Sequence, residues 1–362
     1  MPAKKAPDRG VMEPSERQVY FPQIDALKGL AIISVLLLHT IPRNWLINIY
    51  AHYHIWQAVP VFFILLGITT AIYYQRHALN RQWKVGEIYS WAYFLNRSER
   101  FLLAFVIIFA ISLCYGIFQG GFYFGPLYIM GRLPVIGPGN YFASILIQFA
   151  LVSPLLYFCY IRYPRITVLS MIALEIVFQV VVTYVPLFAE TKYLYSGCIL
   201  RYFTAIALGL YISTGLLKEN SAGLLARRNW FILAIVPLSL WYLWLARTSQ
   251  QPFPLFWSQS SFQNVIAHFY PALLVLLTMR ITPSLFQCLP LRILMLVGKA
   301  SYHIFLVQIL YFGFGLSLTP LVTEENVLVW GPLAILMNVA TNLLAGTLFW
   351  FLLQRLIKRL SA

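Results

Sequence analysis

Charged side chains are scarce in this chain. Only 10% of its 362 residues are Asp, Glu, Lys or Arg, and just 11 are acidic, against about 25% charged in an ordinary soluble domain. A water-soluble globule of this length needs a charged coat, so that class is excluded. Cysteine is scarce too: Cys114, Cys159, Cys198 and Cys288 lie far apart, in or at the ends of apolar stretches, with no C-x-x-C spacing. That pattern speaks against a disulfide framework and against a thiolate metal site. There is no repeat of fixed period, no polar stretch long enough for a second soluble domain, and no small-residue cleavage site after the first apolar run. Residues 1–23 therefore read as a polar cytoplasmic tail ahead of an uncleaved span. The net charge of +15 would suit nucleic acid only on one continuous water-facing surface. Here the cations are scattered between apolar runs, where they serve as topology signals, and no nucleic-acid partner is expected.

What is abundant is hydrophobicity, at 60% of residues. Ten runs are long enough to cross roughly 30 Å of hydrocarbon: 24–41, 56–74, 101–118, 141–161, 166–188, 195–217, 230–246, 262–279, 293–316 and 327–353. The expectation is an all-α polytopic membrane protein. Its membrane domain covers 24–354, followed by a short basic cytoplasmic tail at 355–362. Trp45, Trp56, Trp230 and Trp330 at run edges fit an interfacial aromatic belt. With ten crossings, both termini and the even-numbered gaps share one side. That side collects 19 of the 26 Lys and Arg residues, the other side holds only Arg43, Arg132, Lys192 and Arg247, and Lys28, Arg201 and Lys299 fall inside runs. The asymmetry places both termini in the cytoplasm. On the outer side, 119–140 is rich in Gly and Pro and reads as a loop of re-entrant type.

Titratable groups at membrane depth cost at least about 2.5 kcal/mol each at the bilayer centre, so each is a functional candidate. The first run, IDALKGLAIISVLLLHT, carries Asp25, Lys28 and His39. At 100° per residue these three share one helix face, with His39 roughly 16 Å further along than Lys28. Asp25 and Lys28 read equally as a local ion pair. His39 suits proton transfer near neutral pH, or a hydrogen bond to a neighbouring helix. Glu175 lies mid-run, to be paired with a cation or kept protonated. Arg201 and Lys299 lie near run ends, where snorkelling also accounts for them. His303 follows Lys299 by one turn. His52 and His54 lack nearby carboxylates or thiolates, and no metal is expected. Arg97 and Arg100, in NRSERFLL, form an R-x-x-R pair that reads either as a topology cluster or as an anion clamp.

At these residues the sequence resembles the integral-membrane acyltransferase 3 family, which acylates sugars on bacterial surface polysaccharides, lipid-linked glycans and some small molecules. Asp25, Leu27, Lys28, Gly29, Ala31, Val35 and His39 stand in register with that family's D-x-L-R-G-x-A-x-x-x-V-x-x-x-H opening. Lys28 replaces the family arginine, keeping its charge and losing its planar fork. Arg97 and Arg100 match the family's cytoplasmic R-x-x-R, and Gly298, Ser301, Tyr302 and Leu306 match a late G-x-x-S-Y-x-x-x-L. Two departures mark a divergent member. The family's W-S-L-x-x-E-x-x-x-Y-L-x-x-P stretch survives only as YFASILIQFALVSP, with Tyr141 near the tryptophan position, Pro154 at its end and no glutamate. Gln308 stands where a histidine is common.

The resemblance implies a membrane O-acyltransferase of the bacterial cytoplasmic (inner) membrane, with no bound cofactor and with acyl-CoA, expected to be acetyl-CoA, as co-substrate. The acceptor is a sugar or glycan hydroxyl, and membrane lipid surrounds the protein. His39 is then the base or acyl carrier, Asp25 with Lys28 an orienting pair, and Arg97 with Arg100, joined by Lys299, the contacts for donor phosphates. Glu175, Arg201, Ser301 and Tyr302 are further candidates. The competing class is a transporter or flippase of a lipid-linked sugar. It would more typically show internal repeats or two spans broken at matching positions.

Overall fold

The computed structural model describes residues 20–78, 89, 94, 101–120, 125–135, 137–218, 229–248, 262–321 and 327–360. Among them there is no strand. Each of the ten runs forms a helix: α1 (Pro22–Thr40), α2 (Ala58–Ala78), α3 (Leu103–Phe118), α4 (Phe142–Arg162), α5 (Pro164–Tyr184), α6 (Phe203–Lys218), α7 (Trp230–Arg247), α8 (Phe269–Met279), α9 (Leu289–Gly313) and α10 (Val327–Leu360). Eight are long and apolar enough to cross a membrane, whereas α3 and α8 are shorter apolar helices. The shortfall in α8 has a local cause. Hydropathy runs on from 262, but Asn264 Oδ1 accepts the Ala267 N–H at 3.0 Å and its amide bonds the Tyr242 hydroxyl. A side chain that competes for backbone donors favours a turn, and the helix starts only at Phe269. At the other extreme, α10 runs on through Arg355, Lys358 and Arg359 to Leu360.

Proline places several helix starts. Pro22 and Pro164 occupy the first position of their helices and Pro290 the second, where no intrahelical donor is needed. The other end of α1 is closed by Ile41, which turns extended ahead of Pro42.

Burial sorts the helices into layers. The spans containing α2 and α6 are 78% buried and form the centre, whereas that of α10 is only 17% buried and lies at the periphery. Glycine sets the closest approaches. A Cβ added at Gly298 would lie 1.7 Å from the Asp25 carbonyl oxygen, and one at Gly29 would lie 2.2 Å from the Leu294 oxygen, so α1 and α9 meet backbone to backbone. Gly67 and Gly209 do the same for α2 and α6. The ends of α1 are fastened beside the ends of α9: Gln23 Nε2 donates to the Ile281 carbonyl at 2.7 Å, and Thr319 Oγ1 donates to the Thr40 carbonyl at 3.3 Å. The two helices thus run parallel. α9 and α10 run antiparallel, with Gly346 against Ile304 and Tyr311 donating to Asn338 Oδ1 at 2.7 Å. Alternating crossings require both relationships.

The Gly- and Pro-rich loop packs its last residues against the final turns of α9, where Gly137 abuts the Ile309 carbonyl and Val135 meets Gly313. Non-helical backbone at that depth must be satisfied within the protein. Asn140 does most of this, accepting from Leu133 N at 2.7 Å and donating to the Leu133 and Val135 carbonyls at 3.0 Å each. Ser112 Oγ accepts from Val135 N at 2.7 Å, and Gln308 Nε2 donates to the Pro138 carbonyl at 3.3 Å.

Candidate active site

A cavity of about 220 Å³ lies between α1, α2, α4 and α9. Lys28, Thr69, Lys299, Ser301 and Tyr302 contribute its polar lining, and Phe62, Phe63, Leu66, Phe142, Leu146 and Phe305 its apolar walls. The cationic end is organised by α1. Lys28 Nζ stands 3.8 Å from Asp25 Oδ1, as the three-residue spacing allows. The Tyr20 hydroxyl donates to Asp25 Oδ2 at 2.7 Å, and Lys299 Nζ lies 5.6 Å from the centre of the Tyr20 ring. Further in, Ser301 is buried, and the Tyr302 hydroxyl donates to the Phe101 carbonyl at 3.1 Å, tying α9 to the start of the third span. Phe101 is the first described residue after Arg97 and Arg100, which lie outside the described residues.

The structure thus brings Asp25, Lys28, Lys299, Ser301 and Tyr302 together and leaves His39 apart. His39 does not line the cavity. It is half-buried near the far end of α1, edge-on to Phe312 with ring centres 6.0 Å apart. Phe305 is the last α9 residue of the cavity, and the seven residues from it to Phe312 span about 10 Å. His303, one turn beyond Lys299, packs its ring against Phe349 of α10, with centres 5.4 Å apart.

Glu175 and Arg201 belong to a second, fully packed polar cluster. Glu175 is wholly buried. Its Oε1 lies 3.2 Å from His268 Nε2 and accepts from Gln179 Nε2 at 3.0 Å, while Oε2 accepts from Thr204 N at 2.7 Å. Arg201 Nη2 donates to Gln263 Oε1 at 3.0 Å, and the same oxygen accepts from the Tyr202 hydroxyl at 3.0 Å. The guanidinium lies over the rings of Tyr195 and Tyr202, 4.6 and 5.2 Å from their centres. Tyr202 stacks on Phe63 at 4.0 Å, so one aromatic ring separates this cluster from the cavity. Sequence reasoning missed His268 and Gln263, although polar residues inside the run 262–279 carry the same signal that singled out Glu175. It also missed Tyr20, assigned to the tail.

A model of the acyltransferase 3 family, described as an acyltransferase domain, matches residues 21–355. The chain belongs to the acyltransferase 3 family. The match takes in the cavity lining, the Glu175–Arg201 cluster and His39, and the protein is accordingly a multi-pass membrane acyltransferase. No curated protein and no solved structure matches the chain. This acyltransferase's departures from the motif have structural correlates. Counting from Tyr141, the position of the missing glutamate is Leu146, so the cavity wall there is apolar. Gln308, at the position where a histidine is common, holds the Gly- and Pro-rich loop at Pro138.

Proposed function

We propose that this acyltransferase moves an acyl group, acetyl in the simplest case, from cytoplasmic acyl-CoA to a hydroxyl of a surface polysaccharide, lipid-linked glycan or related sugar in the bacterial cytoplasmic membrane. One observation carries the reading: the cavity joins two lysines at one end to a slot walled by aromatic and aliphatic side chains. That division matches a donor whose phosphates need cations and whose pantetheine arm brings few charges. An apolar slot also keeps water from the thioester. Lys28 and Lys299 meet the phosphates through charge-assisted contacts, together with Arg97 and Arg100.

The acceptor reaches the thioester from the opposite end, where His39 lies. A sugar hydroxyl is a weak nucleophile at neutral pH, and a positioned imidazole supplies the missing basicity. His39 takes the hydroxyl proton as the oxygen bonds to the acyl carbon. The carbon–sulfur bond then breaks, and the thiolate leaves with that proton as CoA-SH. The two turns between Phe305 and Phe312 are the distance the arm must extend for the acyl carbon to meet His39. Family membership favours acyl transfer over the transporter reading. The test is mass spectrometry of surface glycans from cells with and without the protein. Acyl groups should be missing from one glycan in its absence, and unchanged glycans would count against a polysaccharide or lipid-linked acceptor.

A further inference from the structure

The Tyr20–Asp25–Lys28–Lys299 arrangement lies at the cationic end of the cavity, and the reaction scheme above gives Tyr20 no part. A fully engaged ammonium–carboxylate contact closes to about 2.7–2.9 Å. Lys28 stands instead 3.8 Å from Asp25 Oδ1. The other carboxylate oxygen, Oδ2, is held by the Tyr20 hydroxyl at 2.7 Å. The face of the same phenol carries Lys299, 5.6 Å from the ring centre, a cation–π distance. One side chain therefore engages the partner of one cavity lysine and the ammonium of the other. Among the described residues of this arrangement there are two ammoniums and one carboxylate, and both lysines line the cavity. Partial burial and the Asp25 carboxylate both raise the Tyr20 phenol above its usual range, so the hydroxyl remains a donor.

We propose that Tyr20 is a positioning residue for the donor's phosphates: it draws Asp25 away from Lys28 with its hydroxyl and seats Lys299 with its ring, leaving both ammoniums available to an anion. The inference rests on the donor reading above and assigns that reading a residue outside the motif. Its ligand chemistry is phosphate, and its effect is on donor affinity rather than on the chemical step.

Two probes and three variants of the full chain in lipid nanodiscs test it. Coenzyme A carries the phosphates, and pantetheine is the same arm without them. Tyr20→Phe keeps the ring and frees Asp25 to close on Lys28. Coenzyme A binding should weaken roughly tenfold, the worth of one hydrogen bond to a charged group, with pantetheine binding and the thermal midpoint unchanged. Adding Asp25→Asn to Tyr20→Phe removes the competing charge and should restore coenzyme A binding. Tyr20→Leu, which also removes the seat of Lys299, should lose more than Tyr20→Phe. In turnover, Tyr20→Phe should raise the KM for acetyl-CoA and leave kcat unchanged. Wild-type affinity for coenzyme A in Tyr20→Phe, an equal loss for both probes, or no recovery in the double variant each overturns the inference alone. A wild-type protein that binds neither probe overturns the donor reading and this inference with it.

Discussion

His39 and Glu175 are two titratable side chains within the bundle whose surroundings differ: His39 is half-buried, whereas Glu175 is wholly buried. Around His39 there is one aromatic edge, from Phe312. Around Glu175 both oxygens are engaged, by His268, Gln179 and the Thr204 backbone. A group with its bonding capacity filled holds structure, whereas one with capacity to spare can move a proton. His39→Ala should therefore lower kcat by about 10²–10⁴-fold, the usual contribution of a general base, with donor affinity and thermal midpoint unchanged. Wild-type turnover in that variant would remove His39 from the mechanism. Glu175→Ala should instead cost roughly 3–5 kcal/mol of stability by leaving buried partners unpaired, read as a lowered thermal midpoint. Loss of turnover at an unchanged midpoint would reverse the assignment. The Asp25–Lys28 neighbourhood is legible in the sequence because the two stand three residues apart on one helix, whereas the common face expected for His39 does not bring it to the cavity. Tyr20, Gln263 and His268 are not legible there, since each acts through contacts between separate segments that no local periodicity records.

Helix existence is written in the hydropathy of each run, but which helices touch is written in single glycines. Gly298 and Gly29 permit α1 and α9 to meet at backbone distance, and that contact sets Lys28 and Lys299 into one cavity. Gly298→Val should force the helices apart. Overpacking of this kind typically costs about 1–3 kcal/mol, and here it should lower the thermal midpoint and weaken coenzyme A binding together. A variant that kept the midpoint and lost only binding would show that the α1–α9 contact is not what places the lysines. The loop before α4 follows the same logic: its Gly and Pro content is visible in the sequence, whereas its seat on α9 depends on Asn140, Ser112 and Gln308. The start of α8 is hidden for the converse reason. Hydropathy continues through 262–268 while Asn264 turns the backbone there.

At the scale of the molecule, the distribution of charge and the position of the cavity make one directional expectation. By the sequence reading, 19 of the 26 cations belong to the side on which α1 begins, and Lys28 and Lys299, which line the cavity, lie towards that end of α1 and α9 from His39 and Phe312. His39 lies about 16 Å along α1 from Lys28, at the end whose loops carry few cations. If the proposed donor and acceptor sites are right, the two substrates approach from opposite faces, and acylation should be sided. In proteoliposomes of uniform orientation, acetyl-CoA added to the face of the basic loops should support acylation of an acceptor held on the other face. Acetyl-CoA confined to the opposite face should give none, because its phosphates would meet only Arg43, Arg132, Lys192 and Arg247 among the loop cations there and no described lysine-lined cavity. Labelling the acyl group of the donor and following it onto the acceptor separates this from transport, in which an intact acylated product would cross the bilayer after modification on the donor side. Equal rates from both faces would mean that the thioester reaches the acceptor without passing from the lysines towards His39, and the division of the site between the two ends of α1 would have to be abandoned.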